Sequence, residues 1–528
     1  MSRSTGAADR DAPGSAPQAF RLARERPLLL ATVFLTGACV LVVEIAGSRV
    51  VAPLYGSGLY SWSALISVTL ASLSLGYWVG GRAADRRPDP ALFHTGILGA
   101  GLLVLAIPWA AGAVLRITEP LEPRLGVLLA SALLFFPALA MLGGVTPFAI
   151  RLARPPAGEV GAVSGLFFAV STIGSLLAAL ATGFVLIPNL GVRSILALTG
   201  VALTLTAAAG LVASRRRARA IAAVLAAVAT LLAWRGMDPA RGRGALRILA
   251  RIPSFFGYLR VVETDAERML TVNGIGQNYV PLVPGVEHSE YLEFMGALPR
   301  LHRAARPDPS ALLIGLGAGE LVAKLDAAGV RLTVVEIDPK VEETARRFFG
   351  LELPHERIHI ADGRTFLERD AAVYDFVLMD AFLGEDVPGH LYTREAFRAM
   401  RRRLAPGGLV AINYTSIPNG RDVRSMARTL QAEFPHVVGF TDVSDTGELA
   451  SNVFLASASP FALDPVAAAA VPSAGLFLAH ELRAPEAGGT LLTDDYNPIN
   501  VYRLGVNRRW RQDMIRHIGE DWAYWADF

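Results

Sequence analysis

The sequence predicts two unlike halves: an N-terminal bundle of membrane-crossing α-helices and a C-terminal α/β domain built on a mostly parallel sheet. Two observations carry this. Residues 27–234 consist of long apolar runs with few charges, and from residue 245 short apolar strands alternate with helical stretches. The average hides the split, with a mean hydropathy of +0.39 over 528 residues. The boundaries are a tail over 1–26, a membrane bundle over 27–234, the α/β domain over 245–510 and a second tail over 511–528.

A membrane span needs about 20 apolar residues. Runs near 28–47, 61–80, 94–115, 126–148, 161–187 and 194–213 meet that length. A seventh run, near 220–234, is short and rich in alanine, so the expected number of spans is six to eight. The first run is too long for the core of a cleaved signal peptide. Arginine orients such a bundle, because cytoplasmic loops are enriched in it. Arg3, Arg10, Arg21, Arg24 and Arg26 precede the first run; Arg82, Arg86 and Arg87 follow the second; Arg151 and Arg154 follow the fourth; Arg215, Arg216, Arg217 and Arg219 follow the sixth. The N-terminus and the even-numbered loops are therefore expected in the cytoplasm. The net charge of +3 comes from these membrane-flanking arginines, which reads against a nucleic-acid partner. A lone cysteine, Cys39, excludes an intrachain disulfide.

Within the apolar half, Glu44 is a functional candidate because a carboxylate inside a span is costly. A packing pair with Arg49 is the alternative. The stretch "GYWVGGRAADRR" (76–87) resembles a cytoplasmic loop of major-facilitator transporters, with Asp85 and Arg86 able to form a charged clasp. The small residues of "GGVTPFAIR" and "STIGSLLAALATGF" suit close helix contacts.

In the second half, "GYLRVVETDAERMLTVNGIGQ" alternates around a turn and predicts a β-hairpin, while "EHSEYLEFMGALPRL" predicts a helix. Five strands follow, "SALLIGLG", "LTVVEID", "RIHIAD", "YDFVLMDAF" and "GLVAINY", with helical stretches between most of them. Alternation of this kind gives a parallel sheet covered on both faces, with ligands at the carboxyl ends of the strands. The chemistry-bearing residues fall at those ends. Gly315, Gly317 and Gly319 close the first strand, Glu336 the second, Asp362 and Gly363 the third, and Asp380 the fourth. Glycines let backbone approach a ligand, and a carboxylate ending the second strand can accept hydrogen bonds from ribose hydroxyls. The pattern points to a nucleoside site. The glycine turn lacks the lysine of a phosphate-cradling loop. The histidines are scattered and suggest no metal. Near the C-terminus, "LLTDDYNPIN" places Asp494, Asp495 and Asn497 in a turn before a strand-like "VYRL".

These motifs identify a resemblance. Residues 252–415 resemble a spermidine synthase, a polyamine aminopropyltransferase with a Rossmann-like, S-adenosylmethionine-methyltransferase-type fold. "VNGIGQ", "EYLEF", "GLGAGE", "VVEIDP", "ADGRTFL" and "MDAFLGEDVPGHLYTREAF" carry it. The resemblance implies a decarboxylated S-adenosylmethionine or S-adenosylmethionine cosubstrate and no metal. It implies Glu336 on the ribose, Asp362 and Gly363 at the adenine, and Asp380 as the base that takes a proton from the attacking amine. It places Gln277, Tyr291 and Glu293 with the substrate.

The departures from the family pattern are Ala318, Leu292 and Leu383, each where an amine-binding polar residue stands, and Gly257 in place of a hairpin glutamine. Glu320, Glu385 or Asp386 are the candidates to compensate. Losing two acidic partners weakens a polyamine's recognition by about 1.5–3 kcal/mol each. The expected acceptor is a small amine or a membrane-associated molecule, and the expected partner is the lipid bilayer, with room for a homodimer. The alternative is a transporter or sensor whose nucleoside domain regulates the bundle. Seven spans would put the α/β domain outside; six or eight would put it inside. The expectation here is a multi-pass protein of the inner membrane with the domain in the cytoplasm, where a nucleoside cosubstrate is available and where Arg235, Arg241, Arg243 and Arg247 would also lie.

Overall fold

The computed structural model describes residues 27–214 and 246–518, except 57, 284–288, 304–305, 444–446 and 483–487, together with a few isolated positions between 215 and 245. The seventh apolar run lies largely outside the described residues. Among those described, six helices are long and apolar enough to cross a membrane. They are α1 (Pro27–Tyr55), α2 (Leu59–Arg86), α3 (Pro90–Thr118), α4 (Pro123–Ala153), α5 (Val160–Asn189) and α6 (Val192–Ala213).

Small residues set the helix spacing, as the sequence suggests. A Cβ on Gly76 or Gly80 of α2 would overlap backbone of Ala140 or Gly144 on α4. Gly174 of α5 lies equally close to the Phe34 carbonyl of α1, and Ser175 Oγ donates to the Gly37 carbonyl at 2.8 Å. Backbones that approach this closely gain dispersion contacts that lipid cannot supply. Asp85 pairs with Arg151 near the end of α4 at 3.3 Å rather than with Arg86 beside it.

The second half begins with a four-stranded antiparallel sheet, larger than the expected hairpin: β1 (Arg247–Pro253), β2 (Tyr258–Glu263), β3 (Glu267–Val272) and β4 (Ile275–Pro281). Asn273 and Gly274 turn the chain between β3 and β4 with positive φ, the conformation an Asn-Gly hairpin turn requires. After α7 (Glu290–Leu301) comes the main sheet. Its parallel strands are β5 (Ser310–Ile314), β6 (Arg331–Glu336), β7 (Ile358–Ile360), β8 (Tyr374–Met379) and β9 (Leu404–Ser416). β10 (His436–Thr441), β11 (Ala450–Ser457) and β12 (Glu481–Leu482) extend it antiparallel, in the order β12-β10-β11-β9-β8-β5-β6-β7. Strand order reverses between β5 and β8, and the crevice of a doubly wound sheet opens at such a point.

Between the strands lie α8 (Glu320–Ala327), α9 (Pro339–Phe349), α10 (Gly363–Arg369), α11 (Arg394–Arg402) and α12 (Arg421–Gln431), then α13 (Pro465–Ala469) and α14 (Pro472–Ala479). The chain closes with α15 (Ile499–Tyr502) and α16 (Leu504–Ile518). The strand-like "VYRL" is therefore helical. Asn497 Oδ1 accepts the Ile499 amide at 3.1 Å, and this cap starts a turn of helix that four apolar-polar residues could not distinguish from a strand. Residues 511–518, set apart as a tail, continue α16 and return to the bundle.

The α/β domain rests on one end of the bundle. Arg49 near the end of α1 donates to the Phe255 carbonyl at 2.9 Å, and Phe184 of α5 stacks on Phe255. Gln512 and Arg508 of α16 reach Glu119 beyond α3, the first at 3.0 Å. These contacts lie at the C-terminal ends of α1, α3 and α5, the arginine-poor end. The domain thus sits opposite the arginine-rich loops, not with them as expected.

The close approach at Gly80 gives a prediction. Gly80→Ala is expected to cost about 1–3 kcal/mol by overpacking, read as a lower midpoint of thermal unfolding of the purified chain in detergent. Gly96→Ala, whose added Cβ would meet nothing within 4 Å, is expected to leave the midpoint unchanged or raise it.

Candidate functional site

The sheet delivers its functional groups by the ends of its strands. β5 ends in a turn where Gly315 and Gly317 have φ of 97° and 55°, conformations that favour glycine. A Cβ on Gly315 would overlap the Asp380 carbonyl, and one on Gly317 the Asn278 side chain. These contacts line a cleft of about 930 Å³, counted to its open mouth, with Gln277, Glu336, Asp362, Gly363, Asp380 and Leu383 also in its wall. Gly319 caps α8 instead, packs on Leu351 and takes no part in that wall.

Glu336 ends β6, buried, and accepts the amides of Leu316 at 3.0 Å and Asp338 at 2.9 Å. Burial outweighs these donors and pushes its carboxyl up to about 7. Asp362 has the opposite setting. It caps α10 through the Thr365 amide at 2.8 Å and meets His390 Nε2 at 2.6 Å. Desolvation there is outweighed by these hydrogen bonds and by the His390 charge, so its carboxyl stays below the usual range.

Asp380 leaves β8 between two donors. Tyr291 Oη donates to one oxygen at 3.2 Å, and Asn413 Nδ2 donates to the other at 2.9 Å. Burial raises its pKa; the two donors oppose that, and the Glu320 charge adds to it. A carboxylate so placed is a stronger base than one in water. On its far side lies a second cavity of about 650 Å³, walled by Tyr279, Tyr291, Phe382, Trp510 and Asn413 with Glu290 and Ser451. Gln277 and Phe382 line both cavities; Asp380 lines the first, and its two donors Tyr291 and Asn413 line the second.

Several sequence expectations change here. Glu293 is half-buried and lines neither cavity. Ala318 and Leu292 are buried in the apolar core, and only Leu383 of the three replaced positions faces the cleft. Gly257 lies with Arg49, Pro53 and Leu190 where the domain meets the bundle. Glu385 and Asp386 do not compensate for the missing acids. Glu385 pairs with Arg511, both buried, and Asp386 accepts from Asn507 Nδ2 at 2.8 Å. They wall a pocket against Tyr55, Leu59 and Pro123 of the bundle. Glu320 alone stays near Asp380, paired with Lys324 at 3.6 Å. Asp494 takes the structural role, held by Thr393 Oγ1 at 2.7 Å and Arg364 at 3.2 Å.

Asn278, Asn413 and Trp510 were missed. Asn278 Oδ1 accepts the Ala318 amide at 2.8 Å and braces the glycine turn. The only signal for the two asparagines is a polar residue in an otherwise apolar strand.

Residues 291–440 match the spermine/spermidine synthase domain model. The chain is 29% identical over 428 residues to a polyamine aminopropyltransferase of Mycobacterium tuberculosis, covering 74% of this chain and 77% of that one. That share exceeds the α/β half, so the likeness reaches into the helical half. It is 31% identical over 211 residues to an N-terminal histidine N-methyltransferase of Emericella nidulans, covering 36% of this chain and 37% of that one. The chain spans less than half the length of three curated relatives that it matches, 37–46%. A probable spermidine synthase from Corynebacterium glutamicum superimposes with a TM-score of 0.38 at 21% identity, over 48% of this chain and 92% of that one.

If the cleft holds a nucleoside with its ribose on Glu336, as the sequence resemblance implies, the raised carboxyl makes that binding pH-dependent. Ribose hydroxyls donate, so binding needs the ionised form, which fills as pH rises through about 7. Affinity for methylthioadenosine, measured by calorimetry, is expected to be roughly tenfold weaker at pH 6 than at pH 8, and Glu336→Gln to be weak and flat. The sign for stability is opposite. The pKa is raised on folding, so this group's contribution is full below about 4.5 and is lost as pH rises through about 7.

Proposed function

We propose that the protein is a membrane-anchored, aminopropyltransferase-like enzyme. It transfers an alkyl group from decarboxylated S-adenosylmethionine, or S-adenosylmethionine, to an amine or other nucleophile. The observation that carries this is Asp380 in the wall of the first cleft, held by Tyr291 and Asn413, which line the second cavity. The spermine/spermidine synthase domain and the aminopropyltransferase relatives support the same reading.

In this reading the nucleoside occupies the cleft of Gly315, Gly317 and Glu336. Glu336 accepts from the ribose hydroxyls, and Asp362 with the backbone of Gly363 meets the adenine edge. The amine enters from the second cavity. Its nitrogen lone pair attacks the carbon beside the sulfonium; a C–N bond forms, the C–S bond breaks, and the electron pair leaves with sulfur as a neutral thioether. The ammonium proton passes to the Asp380 carboxylate. The sulfonium is already activated, so the protein's work is alignment and proton acceptance.

The second cavity qualifies the acceptor. Four aromatic rings and one carboxylate, Glu290, favour a molecule with a single cationic end and an apolar body over a diamine. The six long apolar helices support anchoring in the membrane.

The test is mass spectrometry of the purified full chain with each donor and a series of amines. Methylthioadenosine or S-adenosylhomocysteine is expected from one pairing. Asp380→Asn is expected to slow its formation about 100-fold or more with nucleoside affinity little changed. Unchanged turnover in that variant would remove Asp380 from the mechanism, and no thioether from any pairing would sink the reading.

A further inference from the structure

We infer that the α/β domain lies on the non-cytoplasmic face of the membrane, so that the nucleoside cleft takes its donor from that side. The inference rests on the membrane-anchored reading above, and it follows from chain direction, docking and charge together.

The direction of each helix is fixed by what its ends touch. α1 finishes at Tyr55, and the next residue, Gly56, lies against the Glu385 carboxylate of the α/β domain. α2 starts from that end at Leu59 and, with 28 residues, carries the chain about 42 Å away to Arg86. α3 returns it to Glu119, which meets Arg508 and Gln512. α4 leaves again and α5 returns to Leu190, beside Ser254 and Tyr258. α6 leaves once more and ends at Ala213. The described α/β domain begins at Leu246, on the opposite end. The chain therefore changes ends between Ser214 and Leu246, and the only long apolar run in that interval is residues 221–234.

The docking is specific rather than a loose apposition. Arg49 on the Phe255 carbonyl, Phe184 on Phe255, and Gln512 on Glu119 join the ends of three separate spans to the domain. Turning the domain to the other end would break all of them.

Charge then assigns the faces. The loops at the far end hold Arg82, Arg86, Arg87, Arg151, Arg154, Arg215, Arg216, Arg217 and Arg219. The span ends beside the domain hold Arg49, Arg116, Arg124 and Arg193. Adding the arginines that flank the bundle keeps the order: five precede α1 on the far side, and Arg235, Arg241, Arg243 and Arg247 lead into the domain. Lysine and arginine mark the cytoplasmic side. The arginine-rich end is cytoplasmic and the domain is not.

This sets the enzyme's place in a reaction sequence. A charged sulfonium nucleoside does not cross a bilayer unaided, so a transport step must follow the reaction that makes it and precede the transfer proposed here. The acceptor is likewise a molecule available at the outer surface.

Cysteine labelling of the full chain in spheroplasts tests the inference. Cys39 is buried in α1 and is replaced by serine for this purpose. Single cysteines are placed at Glu356→Cys, exposed on the domain, and at Pro88→Cys, exposed between α2 and α3. A membrane-impermeant maleimide is expected to label the first in intact spheroplasts and the second only after lysis. Labelling of Glu356→Cys only after lysis would overturn the inference while leaving the catalytic reading intact. Recovery of the protein in the soluble fraction would overturn it by removing the membrane itself. Product formation by the purified chain is measured separately, so the two readings fail independently.

Discussion

Glu385 and Arg511 are both buried and form an ion pair. That pair determines how the two halves of the molecule meet. Glu385 sits in the loop that leaves β8, the strand that also presents Asp380, so the loop has the nucleoside cleft on one side and the bundle on the other. Arg503, fully buried, donates to the Glu385 carbonyl at 3.1 Å and to the Thr415 carbonyl at 2.7 Å, so the same helical segment pins the loop twice. Removing either ion of a buried pair strands the other at a cost of about 3–5 kcal/mol. The loop cannot therefore drift from the C-terminal helix without a large penalty, and that helix cannot drift from the bundle without losing Glu119.

Three acids at three strand ends share one cleft but not one environment. Asp362 is half in solvent, beside an imidazole and a helix N-terminus, and stays ionised. Glu336 and Asp380 are buried, and their carboxyls are pushed up. The carboxyl that stays ionised and the two that are pushed up thus differ by their exposure to water. The sheet topology enforces the divergence, because the switch point between β5 and β8 buries whatever leaves β8, while β7 is the edge strand and leaves its end open to water.

The fold was legible because periodicity is local. Each parallel strand, the helices between them and the acids at their ends can be read within a window of a few residues. What could not be read depends on partners far along the chain. Glu385 and Asp386 look like a hydrophilic loop until Arg511, 126 residues away, arrives beside them. Asn413 becomes a ligand of Asp380 only because β9 lies next to β8. The four-residue "VYRL" carries too little pattern to separate strand from helix, and its cap decides it. Arginine counts order the loops but do not say on which end of the bundle the domain rests; that depends on contacts such as Gln512 with Glu119, far apart in the chain.

Synthesis of the chain proceeds in the opposite sense to its assembly. The bundle emerges first, then the strands with their acids, and α16 after all of them. Until α16 is made, Glu385 has no cation, and Trp510 is missing from the wall of the second cavity. The first cleft can take shape early, from contacts close in sequence, while the second cavity waits for contacts of very long sequence separation, which form slowly. The wall of the second cavity is thus the last part of the two to be completed.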